Sequence, residues 1–185
     1  MFSGAFEASI VKRAISKKIL EIRFIQLRDF ATDAYGSVDD HPYGGGTGMV
    51  LRVDVVKKAI DDARLPPGDA SEKALTERVI LLDPQGTPYT QKKARDLSEI
   101  KHIILICGHY EGVDERIRGL VDEEISIGDY VLTGGEIPAM VVTDSITRLL
   151  PGVLVKPDAT SDESFESSRL EYPHYTRPEI YEGAQ

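Results

Sequence analysis

Apolar residues recur with two different periods along this chain, and the changes of period divide it into elements. Between residues 2 and 20, Phe6, Ile10, Val11, Ala14, Ile15 and Ile19 or Leu20 fall at helical spacing. Lys12, Arg13, Lys17 and Lys18 take the other side, so an amphipathic helix with a basic, solvated face is expected. Residues 21–28 set Ile22, Phe24, Ile25 and Leu27 among polar neighbours and read as a strand. Residues 29–48 are polar and end in Pro42-Tyr43-Gly44-Gly45-Gly46-Thr47-Gly48, whose glycines exclude a helix or strand interior. Helical spacing returns over 53–64 through Val56, Ala59, Ile60 and Ala63, and the prolines at 66 and 67 stop it. Residues 68–77 form a charged linker.

From residue 79 the pattern alternates. Residues 79–83 are a short apolar strand with Pro84-Gln85-Gly86-Thr87-Pro88 as its exit loop. Thr90 can cap a helix running through Ala94, Leu97 and Ile100. Residues 102–107 are a β-branched apolar run, stopped by Gly108-His109-Tyr110-Glu111-Gly112. A short helix over 114–121, a strand over 124–127 and the loop 128–136 follow, and a helix over 137–150 ends at Pro151-Gly152. Strand–helix alternation predicts an α/β fold with a parallel sheet. Three loops, 84–88, 108–112 and 128–135, then leave carboxyl ends of strands, where open α/β sheets bind ligands. After Gly152 the chain turns acidic and serine-rich, and residues 172–178, with two prolines, cannot be regular structure.

Composition narrows the picture. At 185 residues the chain fits one domain, with room for part of a second. No apolar run approaches the ~20 residues that span a bilayer, so no membrane role is expected. A single cysteine, Cys107, excludes an internal disulfide and points to a reducing, cytoplasmic setting. A net charge of −9 argues against a free-standing nucleic-acid binder, though an enzyme can meet RNA through a local basic patch.

Four ordered motifs carry a resemblance: Pro42-Tyr43-Gly44-Gly45-Gly46, Cys107-Gly108-His109-Tyr110-Glu111-Gly112, Ser126 to Glu136, and Pro173-His174-Tyr175-Thr176-Arg177-Pro178. Together they closely resemble the bacterial tRNA (guanine-N1)-methyltransferases, enzymes of the SPOUT class that use S-adenosylmethionine. The resemblance implies a parallel sheet flanked by helices with a deep trefoil knot, and a homodimer with its active site at the subunit interface. It implies methyl transfer to N1 of the guanine 3′ to the anticodon, position 37 of tRNA. Residues 1–155 would be the SPOUT domain without its usual first strand, and 156–185 a linker toward an absent tRNA-binding domain. Another SPOUT RNA methyltransferase, or a form that binds the cofactor without transferring, are the alternative readings.

Guanine N1 carries a proton at neutral pH, so a base must remove it and a cation should stabilise charge moving onto O6. By the resemblance the base is Glu163, with Asp162 its rival, and the cation is Arg148. The methyl donor falls to Leu82, Pro84, Gly108, Tyr110, Glu111, Gly112, Ile127, Gly128, Tyr130, Leu132, Gly134 and Gly135, mainly through main chain. Leu82, Ile127 and Leu132 would hold the adenine, unless they are simply core. Tyr43, Gly44 and Gly45 are candidates for holding the guanine, and His174 and Arg177 for phosphate contact. No protein metal site is expected, and an assisting Mg²⁺ stays open.

Overall fold

The computed structural model describes residues 1–66, 76–154, 164–165 and 170–180. A three-stranded parallel sheet forms its centre. β3 (Glu77–Pro88) lies between β4 (His102–Cys107) and β5 (Glu123–Ser126). Because side chains alternate across a strand, β3 feeds two cores. Val79 and Leu81 pack with Ile106 and Ile117 on one face, while Ile80 and Leu82 pack with Ile125 on the other.

Helix α3 (Val53–Ala63) covers the first face with Val55, Val56 and Ile60. Burying each such aliphatic side chain stabilises by roughly 1.5–3 kcal/mol. The second face takes α4 (Gln91–Ser98) and α5 (Glu136–Leu149), which pack on each other and bury Leu97, Ala139, Val142 and Ile146. The result is helix, sheet and helices in three layers, the flanked parallel sheet expected from the alternation. Thr90 caps α4 as its sequence suggests, its hydroxyl accepting from Lys93 N at 3.2 Å.

Several elements differ from the pattern. The expected helix over 2–20 is two pieces, α1 (Ser3–Phe6) and α2 (Ser9–Ser16), broken where Ser9 takes φ 48°. Residues 21–28 join no ladder. They run extended into a 3₁₀ turn at Leu27–Phe30, and Phe24 stacks on Phe2 at 4.9 Å and on Phe6 at 6.1 Å. In the glycine-rich stretch, β1 (Asp39–Asp40) pairs with β2 (Val50–Leu51) antiparallel. The helix expected over 114–121 is a 3₁₀ segment, Glu115–Leu120. Residues 84–88 are no simple exit loop: the ladder with β5 shifts between Leu82 and Thr87, and Thr87 and Pro88 return to pair with Ile125 and Ser126.

Candidate functional site

Gly108, after β4, lies against Leu82 of β3: a Cβ built on Gly108 would stand 3.7 Å from the Leu82 carbonyl oxygen. Gly135, the residue before α5, donates its N–H to Gly108 O at 2.8 Å, and His109 bridges Gly134 in antiparallel fashion. The loops 108–112 and 128–135 therefore run side by side at the carboxyl end of the sheet. Gly135 is buried so closely that a Cβ would stand 2.6 Å from Cys107 Cα and 2.8 Å from Gly108 N. Only hydrogen fits there.

The third loop joins from the other side. Arg118 reaches the carboxylates of Asp83 at 3.5 Å, Glu115 at 3.0 Å and Glu124, and Gln85 Oε1 at 3.4 Å. This clamp fixes residues 83–85 over β5. Beyond it, Gly86 passes so near the main chain of Ile125 that a Cβ would stand 2.5 Å from its nitrogen.

The glycine-rich run 43–48 borders the same place. Glu111 N donates to Met49 O at 3.1 Å, Leu51 N to Gly112 O at 3.1 Å, and the Glu111 side chain lies where a Cβ on Gly48 would be. Tyr110 holds φ 62° between these contacts, a left-handed conformation that costs a bulky residue on the order of 1–3 kcal/mol. Its ring remains 54% exposed, and Tyr130, whose hydroxyl donates to Ile127 O at 3.3 Å, is 55% exposed. At Gly112, φ 120°, no atom lies within 4 Å of where a Cβ would stand, so main chain faces open space.

The expected donor residues divide by what they offer. Gly108, Tyr110, Glu111, Gly112, Gly134 and Gly135 lie on the two loops where they run side by side, and Gly128, Tyr130 and Leu132 lie earlier on loop 128–135. The Leu82 side chain is 4% exposed and in the core, with Ile127 packed against the same cluster, so Leu82 presents its carbonyl rather than its side chain. Pro84 is exposed on the excursion that Arg118 clamps. Tyr43 is fully exposed, and Gly44 and Gly45 both hold φ 86°.

Arg148 is not beside these loops. It stands twelve residues beyond Glu136 in α5, about 18 Å along the axis at the usual rise. His174 is exposed, 3.9 Å from Glu171, with its ring tilted against that of Tyr172 at 4.6 Å, and Arg177 is exposed in the same segment. Asp162 and Glu163 lie outside the described residues. Among the described residues, no group of His, Cys, Asp and Glu could hold a metal ion, and no helix is long and apolar enough to cross a membrane.

Three side chains that organise the site escape sequence reading. His109 and Glu136 form a pair between the loops, and Arg118 forms the clamp. Their only sequence signals are an acidic residue opening α5 and charges at strand ends, neither of which ties His109 to Glu136, 27 residues on, or Arg118 to Gln85, 33 residues back.

The sequence profile of the family described as "tRNA (Guanine-1)-methyltransferase TrmD" matches residues 1–185. A tRNA (guanine-N(1)-)-methyltransferase from Dictyoglomus turgidum is 51% identical over 183 residues, covering 99% of this chain and 71% of its own length. One from Bacillus cereus is 51% identical over 184 residues, covering 99% and 73%. Among solved structures, the tRNA (m1G37) methyltransferase of Aquifex aeolicus superposes with a TM-score of 0.77 at 42% identity, over 99% of this chain and 73% of that one.

Proposed function

The chain belongs to the tRNA (guanine-1)-methyltransferase family, and we propose that its substrate is the guanine 3′ to the anticodon, position 37, methylated at N1. The observation that carries this reading is the junction of loops 108–112 and 128–135, where Gly135 N–H meets Gly108 O and main chain borders open space. S-adenosylmethionine supplies there an electrophilic methyl group on a sulfonium, which the protein need not activate. Gly108, Tyr110, Gly112, Gly134 and Gly135 would hold it, with Tyr130 at the mouth and Leu82 behind.

The protein's own task is the purine. Glu163, with Asp162 as its rival, takes the N1 proton, and Arg148 stabilises the charge that shifts to O6. Tyr43 and the glycines at 44 and 45 hold the base; His174 and Arg177 meet phosphates. We read residues 1–155 as the catalytic domain and 156–185 as the linker leading out of it. By the family's pattern we read the chain as holding a deep trefoil knot, formed by threading the segment after loop 128–135.

Arg148 stands too far along α5 to reach a donor bound by its own protomer's loops. A second copy could bring its Arg148 there, so we place the active site between two subunits. Val131, Ile137 and Val141, 85%, 43% and 42% exposed beside the loops, supply an apolar face for that contact. The enzyme works where tRNA is made and used, in the cytoplasm.

Two measurements test this. Calorimetry with S-adenosylmethionine is expected to show binding at micromolar donor. Methylation is expected for a tRNA with guanine at position 37 and absent when adenine replaces it. Failure to bind, or retained methylation of the adenine form, refutes the assignment. Glu163→Gln and Arg148→Ala are each expected to abolish turnover while sparing donor binding; unchanged turnover in both refutes the roles.

A further inference from the structure

Two side chains at the loop junction have no part in this chemistry. The His109 Nε2–H donates to Glu136 Oε1 at 2.6 Å, joining the second residue of loop 108–112 to the first residue of α5. Both side chains lie flat on Gly134, where a Cβ would stand 2.5 Å from Glu136 Oε2 and 2.7 Å from His109 Nε2. Glu136 is held in place by α5, whose N-terminal amides favour a carboxylate. His109 is the movable half, on a loop that also carries the left-handed Tyr110.

We propose that the His109–Glu136 pair is a latch that sets the separation of the two donor loops, making both positioning residues for methyl-donor binding. The inference rests on reading those loops as the donor site. Drawn inward to Glu136, His109 keeps Gly108 beside Gly135 and leaves the Tyr110 ring facing out. Released, the loop would retain the Gly135–Gly108 bond at one end and the Glu111–Met49 bond at the other, with its centre free.

Among the described residues, α5 sets Glu136 against the imidazole, and the Cys107 thiol at the end of β4 senses the same Glu136 charge. From its own loop come Tyr110, rings 5.7 Å apart, and Glu111, turned away against Gly48. Loop 128–135 faces it with the main chain of Gly134. Glu136 is thus its carboxylate partner.

The test uses the whole protein with S-adenosylhomocysteine as binding probe and tRNA turnover beside it. His109→Ala is expected to raise the probe's Kd and the donor KM about tenfold, with kcat at saturating donor within about twofold. His109→Gln, which keeps a donor near Nε2, is expected to recover most of that loss. The double variant His109→Ala/Glu136→Ala is expected to bind no worse than either single one. A His109→Ala protein of wild-type affinity, or additive losses in the double variant, would overturn the latch. Should His109→Ala fail to fold, Glu136→Ala decides: a wild-type Kd for the probe in that variant overturns the latch. Loss of probe binding by the wild-type protein would overturn the donor site and the latch together, whereas normal wild-type turnover with an unaffected His109→Ala refutes the latch alone.

Discussion

Space around single atoms governs the site at the smallest scale. A methyl group on Gly135 would meet the main chain of Cys107 and Gly108, which cannot turn aside as a side chain can. Gly135→Ala is therefore expected to part the two loops, costing about 1–3 kcal/mol in urea denaturation and at least tenfold in donor affinity. Gly119, with nothing within 4 Å, is the control, and its change to alanine should stay within about 0.5 kcal/mol. Cys107 sits under the same junction. Burial, and then the charge of Glu136, push its thiol up from 9.0 to about 12. At pH 8 it would hold roughly a thousandfold less thiolate than an ordinary cysteine, so iodoacetamide should leave it unmodified in the native protein and alkylate it in urea. Rapid native labelling would contradict that burial.

Elements were legible where burial and period agree. β4 was read to the residue because a continuous β-branched run bounded by glycine has few other uses, and α3 and α4 because their apolar stripes end at proline and begin at a threonine cap. The cap has a measurable value: Thr90→Ala removes the acceptor for Lys93 N and is expected to cost about 1 kcal/mol, with Thr90→Ser close to wild type. Equal losses in both would show that the hydroxyl is irrelevant. The segment 21–28 misled because alternation reports two-sided burial, not pairing. Here the alternating side chains lie along the surface, with Phe24 on the Phe2 and Phe6 rings and Arg23 bound to Asp62 of α3. The return of Thr87 and Pro88 to β5 was hidden for another reason: two prolines and a glycine signal a loop, and only the neighbouring strand shows where that loop lies.

Across the whole molecule, the meeting of loops 108–112 and 128–135 could be read from sequence because both are glycine-rich loops at strand ends. The separation of Arg148 from them could not, because it depends on the length and direction of α5. That division makes a mixing experiment decisive. Take Gly135→Ala, with weakened donor loops, and Arg148→Ala, with a disabled cation, assayed at donor far below the KM of Gly135→Ala so that each alone turns over little. If one subunit's loops work with the other's Arg148, a heterodimer has one site with both faults and one site with neither. Random reassortment of equal amounts makes half the dimers mixed, so about a quarter of wild-type turnover should return. If loops and Arg148 act within one chain, every site carries a fault and nothing returns. Recovery should also depend on subunit exchange, appearing only after the two proteins are unfolded and refolded together or co-expressed. Absent recovery in verified heterodimers would place Arg148 outside the chemistry or within its own protomer's site, and α5 would then have to carry it to the donor by a change of structure.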